Sequence, residues 1–199
     1  MKNKIINILS LLLGRRLYLL LIDFKNQWEA YYLSKISSSK NSYSQHGEDV
    51  FILRILNHFN LNDNQSFLYV DIGANHPIKI SNSYLLYKSG MRGVIVEPNY
   101  NLCKLYASIR PGDVALNVGI GSVSGIVRFL MTSSHARNSF NSNGDFLTEN
   151  NIKIFSNNYI PVLSLDNLFT EFNQKISFLS IDVEGMEVLT LKGAHKVLS

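Results

Sequence analysis

The chain has 199 residues, enough for one domain with a sizeable core, and its 46% hydrophobic and 17% charged content excludes an intrinsically disordered protein. The net charge of +4 comes from residues 1–54, with eight Lys/Arg and four Asp/Glu, whereas residues 55–199 hold eleven of each. The globular part is therefore not expected to bind nucleic acid. A single cysteine, Cys103, excludes an intramolecular disulfide and fits a reducing compartment such as the cytoplasm.

Residues 1–24 form an apolar segment with two arginines near its centre. Twelve Leu and Ile residues between positions 5 and 22 favour membrane insertion by roughly 4 to 7 kcal/mol. Arg15 and Arg16 together oppose it by roughly 5 to 7 kcal/mol, so a membrane-spanning helix is marginal. The pattern fits better a helix on the inner membrane surface whose arginines reach the head groups. The alternative is a helix that docks on the protein's own core or on a partner.

Residues 34–44 are rich in Ser, Lys and Asn and predict a linker, so we divide the chain into an arm at 1–42 and a domain at 43–199. The segment Ser-Gln-His-Gly-Glu-Asp follows at 44–49, and apolar residues with helical spacing come after it. Its serine and acids are typical of a helix start. Capping does not explain why Gln45, His46 and Gly47 are also present.

Residues 67–75 form a short apolar run that ends in Asp71, Gly73 and Asn75. Such a run predicts a buried parallel strand that stops in a tight polar turn. With the helix predicted at 81–89, it makes the front half of a nucleotide-binding βαβ unit. Gly73 would let a ligand approach the backbone, because it has no Cβ. The alternative is an ordinary α/β turn with a capping aspartate.

A second buried strand, predicted at 93–98, ends in the acid Glu97, 24 residues after Gly73. In nucleotide-binding units an acid at about this spacing accepts hydrogen bonds from ribose hydroxyls. The turn lacks the three glycines that cradle a pyrophosphate, which argues against a nicotinamide-dependent oxidoreductase. A single glycine beside Asp71 instead favours a ligand with a cationic end, such as S-adenosylmethionine.

The rest of the chain continues the α/β pattern. We predict helices at 99–109, 166–172 and 186–198, strands at 114–121, 125–130, 159–165 and 176–181, and a long loop at 132–150. Asp71, Glu97, Asn117 and Asp182 fall at or near strand ends. Ligands of open α/β sheets bind beyond the carboxyl ends of the strands, so these residues are candidates for one site.

Six segments together resemble the FkbM-type S-adenosylmethionine-dependent methyltransferases. They lie at 44–49, 70–77, 81–87, 93–99, 163–168 and 181–187. The resemblance implies a class I methyltransferase fold, with a Rossmann-like, mostly parallel sheet and flanking helices. It also implies an O-methyltransferase that acts on a sugar hydroxyl of a polysaccharide, glycolipid or related metabolite. The family's sheet has further C-terminal strands, so we expect an incomplete domain. A truncated or inactive binding module is the alternative.

The resemblance implies a cofactor pocket of seven residues. They are Asp71, Gly73 and Asn75 at the methionine end of S-adenosylmethionine, Glu97 at the ribose, Asn117 and Val118 beside the adenine, and Glu48 as a residue that closes over the cofactor.

The acceptor hydroxyl needs a base to remove its proton. Asp182 is the first candidate, and His135 or His46 is the second. Alternatively, Asp182 and Glu184 hold a divalent metal ion that lowers the pKa of the hydroxyl. Glu184 and Glu187 could instead merely favour a helix N-terminus. A sheet edge left uncovered by the missing strands would favour a homo-oligomer.

Overall fold

The computed structural model describes residues 42–59, 67–132, 154–170, 175–183 and 185–199. All of them belong to one compact unit, Asn41–Ser199. The predicted arm at 1–24, nearly all of the predicted loop at 132–150 with His135, and Glu184 lie outside these ranges. Within the described ranges, no helix is long and apolar enough to cross a membrane.

The described residues form seven strands and five helices. The strands are β1 (Leu68–Ile72), β2 (Arg92–Val96), β3 (Val114–Leu116), β4 (Gly119–Ile120), β5 (Gly125–Thr132), β6 (Ile154–Leu163) and β7 (Phe178–Ile181). The helices are α1 (Glu48–His58), α2 (Tyr84–Lys88), α3 (Tyr100–Ile109), α4 (Leu165–Phe169) and α5 (Glu187–Lys192).

The main sheet is parallel, with the strand order β3-β2-β1-β7. β1 is buried along its whole length between β2 and β7, and Asp71 lies opposite Ile95 on one side and Ser180 on the other. A central parallel strand is covered on both faces, which explains the apolar run in this segment. Because the strands are parallel, the turns after β1, β2 and β7 lie at the same edge of the sheet.

Side chains that alternate along β1 feed two hydrophobic clusters, one on each face of the sheet. Val70 and Ile72 join a cluster that also contains residues of α4. Tyr69 joins a second cluster with Leu56 of α1 and Tyr106 of α3. The helices therefore flank the sheet on both faces, as in a Rossmann-like arrangement.

The predicted strand at 114–121 is wrong in one respect, because it divides into β3 and β4 in different sheets. The Nδ2 atom of Asn117 donates to the carbonyl oxygens of Glu97 and Pro98, each at 2.9 Å. Asn117 therefore binds the turn after β2 at the point where β3 ends. Three helices are also shorter than predicted, since α2 begins at Tyr84, α4 ends at Phe169 and α5 ends at Lys192.

A second, three-stranded sheet has the order β4-β6-β5. β6 pairs in parallel with β4 and antiparallel with β5. The strand predicted at 125–130 is confirmed and continues to Thr132. The described fold is thus mixed α/β with a parallel main sheet.

Candidate functional site

The turn after β1 is held tightly against its neighbours. Gly73 has a φ of 76° and Asn75 a φ of 55°. The backbone nitrogens of Gly73 and Ala74 both donate to the carbonyl oxygen of Val96, at 2.9 and 3.3 Å. A Cβ at Gly73 would overlap the carbonyl oxygen of Asp182. From the sequence alone, this glycine is explained by the close approach of a ligand to the backbone. The close approach of the chain after β7, at Asp182, is enough by itself to require a glycine here.

Glu97 connects this turn to helix α3. The side chain is 4% exposed; its Oε2 accepts from the backbone nitrogen of Asn75 and its Oε1 from that of Asn99, both at 2.7 Å. Burial raises the pKa of Glu97 to about 7. The two hydrogen bonds act to lower this pKa, and the negative charge of Asp71 makes a smaller contribution that raises it. Each carboxylate oxygen still has acceptor capacity for one further donor.

The Asp71 carboxylate is also buried, and it lies against Ser83 at the start of helix α2. Its Oδ2 accepts from the Oγ of Ser83 at 2.5 Å. Burial raises the pKa of Asp71, while Ser83 and Arg110 act in the opposite direction. Among the described residues, neither Asp71 nor Glu97 forms an ion pair. The edge of the sheet thus contains two buried acids without a direct counterion.

Asn117 and Val118, predicted to lie beside the adenine, follow the end of β3 and precede β4. Val118 is partly buried against the core, and the Asn117 amide donates to two carbonyl oxygens of the turn after β2.

A cavity of about 250 Å³ lies between α3 and β3. It is lined by Tyr100, Cys103, Lys104, Ala107, Asp113, Ala115 and Asn117. Of the predicted cofactor residues, Asn117 is the one that touches this cavity.

The structure brings Glu48 and Asp182 near each other, although they are far apart in the chain. Asp182 is exposed, and its pKa is raised by partial desolvation and then by the negative charges of Glu187 and Glu48. Glu48 accepts from the backbone nitrogen of His46 at 2.8 Å. Glu187 accepts from the backbone nitrogen of Gly185 at 3.1 Å, which supports its interpretation as a helix-start residue. Glu48, in the segment at 44–49, therefore lies within electrostatic range of Asp182 at the end of β7.

The predicted metal site receives no support. Among the described residues, no group of three or more His, Cys, Asp and Glu could hold a metal ion. Asp182 is described, but its predicted co-ligand Glu184 is not. Of the two second candidate bases, His135 also lies outside the described residues, and His46 is exposed.

Sequence reasoning missed two buried polar clusters. Asp49, predicted as a helix-start acid, is fully buried; it accepts from the hydroxyls of Ser42 and Ser44 and from the backbone nitrogens of Tyr43 and Val50. The second cluster surrounds Arg110, which the sequence indicated only as the end of a helix. The burial of these polar residues depends on specific hydrogen-bond partners, and hydrophobic periodicity carries no signal of such partners.

A family model described as "Methyltransferase FkbM domain" matches residues 71–199, more than half of the chain. The matched span begins within β1 and includes the turn after it, Glu97 and Asp182. Comparisons with curated proteins and with solved structures give no significant match.

Proposed function

Because the chain belongs to the FkbM methyltransferase family, we propose that it is an S-adenosylmethionine-dependent O-methyltransferase of the class I fold. The acceptor we propose is a hydroxyl on a sugar of a polysaccharide, glycolipid or related metabolite. The parallel strand order β3-β2-β1-β7, with an acid directly after β2, supports this proposal.

The observation that carries the proposal is the pair of buried acids, Asp71 and Glu97, at neighbouring strand ends. The nearby buried cation, Arg110, forms its ion pair with Asp113 at 2.7 Å, and among the described residues it forms none with Asp71 or Glu97. If both acids ionise, the site has an excess of negative charge in a poorly solvated place. A ligand that brings a positive charge and hydroxyl donors would stabilise both carboxylates.

The residues present fit S-adenosylmethionine on chemical grounds. Glu97, next to the turn after β1, has acceptor capacity for ribose hydroxyls, and Asp71 supplies negative charge near a cationic end. When bound, S-adenosylmethionine supplies a methyl group on a positively charged sulfur, already activated for displacement. The protein's part is then to align the acceptor and to remove its proton.

Asp182 is the residue we propose as the base. It is exposed, so an acceptor can reach it, and it lies within electrostatic range of Glu48 and Glu187. Partial desolvation and then the neighbouring negative charges raise its pKa, which makes its carboxylate a better proton acceptor.

Calorimetry with S-adenosylhomocysteine tests the proposed cofactor. Binding by the folded full chain is the expected result, and no binding would overturn the proposal. Transfer of a labelled methyl group into an oligosaccharide extract tests the acceptor, with an Asp182→Asn variant as the control for the base. Cofactor binding without transfer into any extract would support the alternative, a methyltransferase-fold binding module.

Two further proposals concern location and assembly. We propose peripheral attachment to the inner membrane face through residues 1–24, with the domain in the cytoplasm, and association as a homo-oligomer. Co-sedimentation of the full chain with anionic vesicles tests the first, with a variant that lacks residues 1–24 as the control. Light scattering of the purified chain tests the second, and a monomer mass would refute it.

A further inference from the structure

A buried hydrogen-bond network connects Arg110 to Asp71. The Arg110 side chain is fully buried, and its Nε donates to the Oδ2 of Asp113 at 2.7 Å. Its Nη1 and Nη2 both lie 3.1 Å from the Oγ of Ser83, and Nη2 also donates to the hydroxyl of Tyr69 at 2.9 Å. Three tyrosine rings lie within 6 Å of the guanidinium group: Tyr69, Tyr87 and Tyr106. The guanidinium group is therefore fixed on several sides.

The direction of the hydrogen bonds in this network follows from the groups themselves. A guanidinium group has only N–H donors, so the Ser83 oxygen must accept from Arg110. The single hydroxyl proton of Ser83 is then available for Asp71, whose Oδ2 lies 2.5 Å away. Ser83 thus joins a buried positive charge to a buried carboxylate that does not contact that charge directly.

Groups other than Ser83 and Arg110 also change the pKa of Asp71, and any test of Ser83 must take them into account. Ser180 on β7 donates a hydrogen bond that favours the ionised form, whereas the charge of Asp182 opposes it. Glu97 after β2 and Tyr106 of α3 are also within electrostatic range. Ser83 has the largest effect of the residues that favour the ionised form, followed by Arg110.

We propose that Ser83 is a positioning residue that relays the charge of Arg110 to Asp71 and so keeps the Asp71 carboxylate fixed and ionised for the cationic end of the cofactor. This inference rests on the proposed function for the identity of the ligand, but the relay itself exists in the ligand-free protein. It also gives a role to the segment at 81–87, which the resemblance singled out without assigning a task to it.

A Ser83→Ala variant tests the relay, because it removes the hydroxyl and adds no bulk. Ser81→Ala is the matched control: Ser81 is also buried, but its Oγ accepts from the backbone nitrogen of Tyr84. The first measurement is the titration of the Asp71 carboxyl carbon by NMR in ligand-free protein, with Asp71→Asn to assign the signal. We expect a higher pKa for Asp71 in Ser83→Ala than in the parent chain and no change in Ser81→Ala.

The second measurement is the affinity for S-adenosylhomocysteine from pH 6 to pH 9. Loss of a hydrogen bond to a charged group predicts binding about tenfold weaker or more for Ser83→Ala at pH 6. If Ser83 acts through the ionisation of Asp71, the deficit should be larger at low pH than at high pH, since a higher pH favours the ionised carboxylate in the variant. A purely structural role would instead weaken binding by the same factor at every pH.

The two measurements separate the inference from the proposed function. An unchanged Asp71 titration in Ser83→Ala overturns the relay, whether or not the cofactor analogue binds. A shifted titration in a chain that does not bind S-adenosylhomocysteine supports the relay and overturns the proposed cofactor. A shifted titration with an affinity deficit that is the same at every pH refutes the part of the inference that concerns the cofactor.

Discussion

Glu97 should make cofactor binding depend on pH near neutrality. Burial raises its pKa from 4.5 to about 7 in the ligand-free protein. Ribose hydroxyls that donate to the carboxylate favour the ionised form, so a bound ligand should lower this pKa. Below pH 7 the ligand must displace a proton. We therefore expect the dissociation constant of S-adenosylhomocysteine to rise about tenfold per pH unit below 7 and to level off above pH 8.

Proton release is the direct signature of this linkage. With a pKa of about 7, binding should release about 0.9 proton per ligand at pH 6 and about 0.1 at pH 8. Calorimetry in buffers that differ in ionisation enthalpy measures this number. A dissociation constant that is the same at pH 6 and pH 8, with no proton released, would refute the reasoning.

The same shift predicts how the stability of the ligand-free protein changes with pH. The pKa of Glu97 is higher in the folded state than its ordinary value of 4.5, so the folded state binds more protons between pH 4.5 and 7. The free energy of unfolding should therefore fall as the pH rises through this window, by about 3 kcal/mol in total. Glu97→Gln should remove most of this slope in urea denaturation, and a slope that remains belongs to other groups, of which Asp71 is the first candidate.

Two substitutions test the packing behind the site, each with a matched control. Gly73→Ala should lower the free energy of unfolding by about 2 kcal/mol or more, because Gly73 has a positive φ and an added Cβ would overlap Asp182. The control is Gly125→Ala. Its added Cβ would meet no atom within 4 Å, so the free energy of unfolding should change by less than about 0.5 kcal/mol. Arg110→Met should destabilise the protein by about 3 to 5 kcal/mol, since it breaks a buried ion pair, whereas exposed Arg128→Ala should stay within about 0.5 kcal/mol in the same urea assay. Equal losses in a variant and its control would refute either argument.

The sequence predicts the parallel strands of the main sheet well, because a strand buried on both faces consists of consecutive apolar residues and such a run is visible in the sequence. β1 lies within the predicted range, β2 begins one residue before its predicted range, at Arg92, and an acid or amide follows at each turn. Helix α3 is also confirmed, with the Asn99 side chain accepting from the backbone nitrogen of Asn101 at its start. These elements depend on local composition, and local composition is what a single sequence displays.

The division of the strand predicted at 114–121 shows where such reasoning stops. An alternating apolar pattern runs through Asn117 without a visible break. The break comes from its side-chain bonds to Glu97 and Pro98, about twenty residues earlier. A contact of that kind depends on which strands become neighbours, and periodicity carries no information about that.

The relay through Ser83 is hidden for the same reason. Arg110 follows a helix and precedes Pro111 and Gly112, a context that indicates an exposed helix end. Arginine is almost never fully buried without partners. Here the partners, Asp113 close in sequence and Ser83 27 residues away, make burial tolerable.

The turn after β1 is ordered by the protein itself. The hydroxyl of Tyr106 donates to the carbonyl oxygens of Ala74 and Asn75, at 3.1 and 3.3 Å, while Glu97 accepts from the nitrogen of Asn75. The carbonyl of Val96 holds the turn from another side. A turn fixed from three directions loses little conformational freedom when a ligand arrives, so more of the interaction energy remains for affinity. The acid that would recognise the ribose is thus also one of the groups that build the turn.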